Sequence, residues 1–205
     1  MKNKLGNYLA INMLLAVFFL GGCGGGGKDS PGVSMSATIT PTYNGANTFS
    51  VDVVQANCTN GTTTLPEYFA DHTATATISA SLINPNNIIP HLTVYIDSYT
   101  IDYSSHADSP GAPAIQSDAR EKTISFIVSS SSTTAAATQA NVTVSLVDLI
   151  RKNQYLSNVG GRLNNYTATY TFQGHSENGE HFTFNAQTDF QMGSFIYCQS
   201  GYWPI

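Results

Sequence analysis

Apolar and polar residues alternate with period two along most of the chain beyond residue 32. Val33, Met35, Ala37 and Ile39 interleave with Ser34, Ser36 and Thr38, and Phe49, Val51 and Val53 interleave with Ser50 and Asp52. Successive side chains of an extended strand point to opposite faces, so this alternation predicts strands with one buried face. Thr73 to Leu82 repeats small residues with threonine, while Ile124, Phe126 and Val128, then Val142, Val144 and Leu146, supply two more apolar faces. The clearest pair is Tyr166, Ala168, Tyr170 and Phe172 followed by Phe182, Phe184, Ala186, Thr188 and Phe190. Between them Gln173 to His181 reads as a hairpin connection, with Asn178-Gly179 supplying residues that tolerate positive φ.

The segment His91 to Tyr103 breaks the rule once. Leu92, Val94 and Ile96 lie on even positions and Tyr99, Ile101 and Tyr103 on odd ones, so the apolar face changes phase near Asp97-Ser98. A bulge there keeps both halves on the core, and lets the strand bend from one sheet into another. Helix signals are sparse: Asp148 to Leu156 reads as a short helix or turn, and Pro66 to Asp71 as one helical turn. Asp108 to Pro113 and Ser129 to Ala137 read as loops. Short strands at this spacing predict an all-β fold, a single antiparallel β-sandwich over 33–205. In architecture it resembles immunoglobulin-like and fibronectin-like domains, without the Cys-Trp-Cys hallmark, because the single tryptophan, Trp203, follows Cys198.

The N-terminus follows a different pattern. Lys2 and Lys4 precede an apolar run from Leu9 to Leu20, interrupted only by Asn12, and the run ends in Gly21, Gly22 and Cys23. A positive start, a short apolar core and small residues before a break form an export signal. The run is shorter than the roughly 20 residues a bilayer-spanning helix needs. Leu20-Gly21-Gly22-Cys23 resembles the lipobox of bacterial lipoproteins. That resemblance implies cleavage after residue 22, acylation of Cys23, and retention on a membrane; Gly24 in place of an aspartate points to the outer membrane of a two-membrane bacterium. Residues 23–32 then read as the lipidated cysteine and a flexible tether, with Gly24 to Gly27 at its centre. Gly22 to Lys28 also matches the start of a phosphate-binding loop, but Asp29 stands where Ser or Thr would hold magnesium, and no strand precedes it.

Composition narrows the functional classes. Without Lys2 and Lys4 the chain keeps six basic residues against thirteen acidic ones, a formal charge of −7. Nucleic acid is a poor partner for such a surface, since phosphate binding needs clustered Lys and Arg, and Arg151-Lys152 is the only adjacent basic pair. With Cys23 assigned to the anchor, Cys58 and Cys198 are left as an even pair in an oxidising compartment, which predicts a disulfide.

Motif-borne chemistry is absent: there is no G-x-S-x-G and no H-E-x-x-H, and no cofactor is expected. Gly174 to His181 is the richest polar cluster. Its first reading is a solvated turn; its alternative is a metal site in which His175, His181 and a glutamate, Glu177 or Glu180, act as ligands. Asp97, Asp102 and Asp108 could in the same way gather calcium, although no D-x-D-x-D-G loop is present and ordinary outward-facing residues are the simpler reading. Asp71-His72 stands isolated. Alternation puts Tyr99 and Tyr103 in the core and Tyr95 on the opposite face. The expectation is a lipid-anchored, non-catalytic interaction or scaffolding module. Its partners would be the membrane, through the acyl chains, and an envelope protein or glycan. A carbohydrate- or metal-binding surface module is the alternative, and an extracytoplasmic enzyme a more distant one.

Overall fold

The computed structural model describes residues 32–60, 62–83, 91–129 and 137–196. The expected signal peptide, Cys23, the glycine tether, Cys198 and Trp203 lie outside the described residues, as do most of the 129–137 connection and the side chain of Phe126.

Two sheets face one another. The first is ordered β2 (Ala46–Asn47), β1 (Val33–Tyr43), β6 (His72–Leu82), β9 (Thr138–Val147). The second is ordered β3 (Ser50–Asp52), β11 (His181–Gly193), β10 (Asn164–Ser176), β7 (His91–Ser105), β8 (Asp118–Ser129). A small ribbon pairs β4 (Asn57–Asn60) with β5 (Thr63–Pro66), and among the described residues one helix, α1 (Leu149–Val159), leads from β9 in the first sheet to β10 in the second. The protein is an all-β sandwich. The expected antiparallel pairing has one exception, β3 beside β11, which is parallel. The chain crosses between sheets just before β3, through Thr48 and Phe49, and so arrives running alongside β11. Phe49 belongs to this crossing, and for that reason it is 56% exposed instead of sharing the buried face of Val51 and Val53.

The two inner faces are complementary in size. β6 contributes Ala74, Ala76, Ile78 and Ala80, all buried, and opposite them β10 and β11 contribute Tyr166, Tyr170, Phe172, Phe182, Phe184 and Phe190. Small side chains on one sheet leave depth for rings on the other, which is how an interior reaches close packing with few voids. Three hydroxyls then stitch the second sheet to β9: Ser145 N donates to Tyr99 Oη at 2.9 Å, Tyr170 Oη donates to Ser145 O at 2.7 Å, and Tyr103 Oη donates to Leu146 O at 2.6 Å. The outer face of β1, β6 and β9 is Ser and Thr with Gln139 and Asn141, and carries no charged side chain.

The helix begins where Asp148 accepts from Arg151 N at 2.9 Å and ends at Gly160, whose φ is 63°. A carboxylate cap satisfies an otherwise orphaned N–H, and glycine takes the left-handed turn without a Cβ clash. Pro66 to Asp71, expected as a helical turn, is irregular apart from the end of β5. Its groups are held from outside the segment: Gln55 Nε2 donates to Glu67 O, Tyr43 Oη to Tyr68 O, Lys152 Nζ to Ala70 O, and Glu67 N to Ala56 O. Those partners replace the intrasegment bonds a helix would need.

Candidate functional site

The phase change in β7 falls at an irregularity in its pairing with both neighbouring strands. Pairing of β7 with β10 passes from Ile96 opposite Gly174 to Ser98 opposite Gln173, so Asp97 is the extra residue of a bulge against β10; against β8, where Ile96 faces Ile124 and Ser98 faces Glu121, the extra residue lies on β8. The bulge lets Leu92, Val94, Ile96, Tyr99 and Ile101 all remain buried. Contrary to expectation, β7 does not pass into the other sheet; the extra twist is absorbed within the five-stranded one. Directly opposite, Gly174 has no room for a side chain: a Cβ there would stand 2.1 Å from the Tyr95 carbonyl oxygen and 2.8 Å from the Phe182 ring.

The bulge brings Asp97 to His175. His175 Nδ1 lies 2.8 Å from Asp97 Oδ2, both side chains being about four-tenths exposed. The Tyr95 ring stacks on the His175 ring at 4.9 Å between centres, and on the other side His181, the register partner of His175, lies at 6.1 Å. Tyr95, His175 and His181 thus form a row across three neighbouring strands, with the Asp97 carboxylate beside the middle ring. The turn joining the two histidines closes through Gly179 N to Ser176 O at 2.8 Å and Ser176 N to Glu180 O at 2.9 Å. Only Gly179 adopts positive φ there; Asn178 does not. Glu177, a candidate ligand under the alternative metal reading, is exposed and contributes its backbone N–H to Thr93 O; Glu180 is likewise exposed.

The alternative calcium grouping does not form, and the carboxylates face outward as the simpler reading has it. Asp97, Asp102 and Asp108 stay apart: Asp102 is exposed on β7, and Asp108 lies in the following loop, accepting from Asn165 Nδ2 and Ser109 Oγ. Among the described residues no three His, Cys, Asp or Glu side chains gather to hold a metal ion. His106 is held on the outer face of the five-stranded sheet by Thr167 and Asp189. Cys58 lies on β4, and its expected partner Cys198 is outside the described residues. Among the described residues no helix is long and apolar enough to cross a membrane.

Several charged side chains gather in the interior. Arg151 is buried, donating to Asp148 Oδ2 at 2.6 Å, to the carbonyls of Gln116 and Ser117, and facing Asp118 at 3.4 Å. Arg120 joins the same network through Asp118 and Asp148. Lys152 is wholly buried, its Nζ bonded to Ala70 O and 4.3 Å from the centre of the Phe69 ring. The adjacent basic pair therefore forms no surface patch. His72, far from isolated, stacks on Tyr43 at 3.9 Å with the rings nearly parallel, within reach of the Lys152 charge. Burial pushes the Lys152 amine down to about 8 and, with the Lys152 charge, pushes His72 down to about 3. Burial and a hydrogen bond with Glu67 raise the Asp52 carboxyl. Asp52, Glu67, His72 and Lys152 are each no more than 4% exposed. Perturbed groups of this kind mark catalytic centres when they line a cleft; here they are enclosed and fasten α1 to the sandwich. No local signal in the sequence joins them, since they come from β3, the segment after β5, β6 and α1.

The chain matches no protein-family model, no curated protein and no solved structure.

Proposed function

We propose that the chain is a lipid-anchored cell-envelope β-sandwich lipoprotein, held by acyl chains on Cys23, that serves as a non-catalytic interaction module. Its contact surface is the row Tyr95, His175, His181 with Asp97. The observation that carries this reading is the bulge at Asp97, matched across the strand by a glycine that admits no Cβ. Bulges recur where a sheet re-aims a side chain for use, and this one turns a carboxylate onto an exposed imidazole. Two further features support the reading. A glycine tether gives an anchored head a raised effective concentration toward partners near the membrane, and the strongly perturbed ionisable groups Asp52, His72 and Lys152 are buried.

The test uses the full-length lipidated protein in its own envelope. Crosslinked complexes captured with the wild type are expected to be lost with Tyr95→Ala and His181→Ala at unchanged protein level. They are expected to persist with Thr38→Ala on the opposite sheet. Equal capture by all three variants contradicts the proposal.

A further inference from the structure

We infer that His175 and His181 form the protein half of a divalent transition-metal site, of the zinc, copper or nickel class, oriented by Asp97. The inference rests on the same surface as the interaction reading but makes a separate chemical claim. Register partners on antiparallel strands present their side chains on one face, so the two imidazoles stand side by side above β10 and β11. Their ring centres are 6.1 Å apart. Two imidazoles sharing one ion at a metal–nitrogen distance of about 2.1 Å place their centres about 5 to 6.5 Å apart.

The second observation concerns the proton. A ligating histidine needs one nitrogen free of hydrogen, and metal sites commonly secure this by giving the other N–H to a carboxylate. Asp97, 2.8 Å from His175 Nδ1, accepts that N–H and leaves Nε2 as the lone-pair donor. Asp97 approaches from β7 and His181 stands on β11, on the opposite side of His175. The backbone that carries the carboxylate is set by the bulge and by the close approach of Gly174 to Tyr95. Paired imidazoles suit zinc, copper and nickel, whereas calcium and magnesium take oxygen ligands. With two protein ligands the ion keeps positions for water or for a ligand group on a partner.

The experiment is calorimetric titration of zinc into the full-length protein in detergent after chelator treatment, with calcium as the comparison ion. One equivalent of zinc is expected to bind and calcium to give no saturable signal. His175→Ala and His181→Ala should each weaken zinc binding at least tenfold, Asp97→Asn about 10- to 100-fold, and His106→Ala not at all. Circular dichroism checks that each variant is folded. Absence of zinc binding, or binding undiminished in the His175→Ala/His181→Ala double variant, overturns the inference. Loss of zinc binding with partner capture intact would end the metal claim only; zinc binding intact with partner capture independent of these residues would end the interaction reading only.

Discussion

A Cβ on Gly174 would stand 2.1 Å from the carbonyl oxygen of Tyr95, so the two strands meet at the bulge more closely than any side chain permits. Gly174→Ala must force β7 and β10 apart. The variant is expected to lose roughly 2 kcal/mol or more of stability, as overpacked sites do, read as a lower midpoint in urea unfolding. An unchanged midpoint would mean that the bulge yields freely and does not fix Asp97.

Asp148 both caps α1 and pairs with buried Arg151. Asp148→Ala removes the cap, at a cost of about 0.5 to 2 kcal/mol, and takes from Arg151 its closest carboxylate, leaving it Asp118 and two carbonyls. Asp148→Ala is therefore expected to destabilise the fold more than Asp102→Ala, whose side chain is exposed on β7. Equal urea midpoints for the two variants would contradict the network.

The sequence made the strands legible because one face of each is wet and the other dry, a contrast that alternation reports directly. The β7 phase change was legible for the same reason, and it located the bulge at Asp97. Pro66 to Asp71 was misread because its carbonyl partners, Gln55, Tyr43 and Lys152, come from elsewhere in the chain. The burial of Arg151 and Lys152 is not legible in the sequence, because polarity normally signals exposure and their partners come from distant elements. His175 was visible as a candidate, but its bond to Asp97 joins residues 78 apart in the chain, and no local pattern encodes such a pair. The exposure of Phe49 was hidden because alternation gives parity and not the point where a chain leaves a sheet.

The Lys152 amine is held down at about 8 by burial, against an ordinary value of 10.5. Between those values the unfolded chain binds a proton that the folded one has released, so stability rises with pH across the window. The neighbouring groups oppose each other at lower pH. Raised Asp52 makes stability fall as pH climbs through and above the ordinary carboxylate range, while lowered His72 makes it rise between about 3 and 6.5. Urea midpoints are expected to increase from pH 8 to pH 9 in the wild type, below the ordinary tyrosine range in which the burial-raised hydroxyls of Tyr43, Tyr103, Tyr166 and Tyr170 make stability fall with pH, and Lys152→Met is expected to flatten that increase. A wild-type midpoint that falls over the same interval would contradict the assignment.

Anchoring and the cysteine pairing are open to direct measurement. Cys23→Ser should abolish labelling by palmitate and move the protein out of the membrane fraction, or leave the precursor uncut. Non-reducing peptide mass spectrometry should recover the peptides of Cys58 and Cys198 joined, as exported proteins favour. Persistent membrane labelling of the Cys23→Ser variant, or two free thiols in the mature protein, would each contradict its part of the account.

The central claim, that the protein works by contact through the Tyr95, His175, His181 row, is tested most directly by site-specific photocrosslinking in intact envelopes. A photoreactive residue is placed at position 183, exposed beside His181 on the same face of β11, or at position 36 on the uncharged face of the other sheet. The account predicts a discrete adduct from position 183 that disappears when Asp97→Ala is added, with none from position 36. Adducts from position 36 alone, or adducts from position 183 that ignore Asp97→Ala, would contradict it.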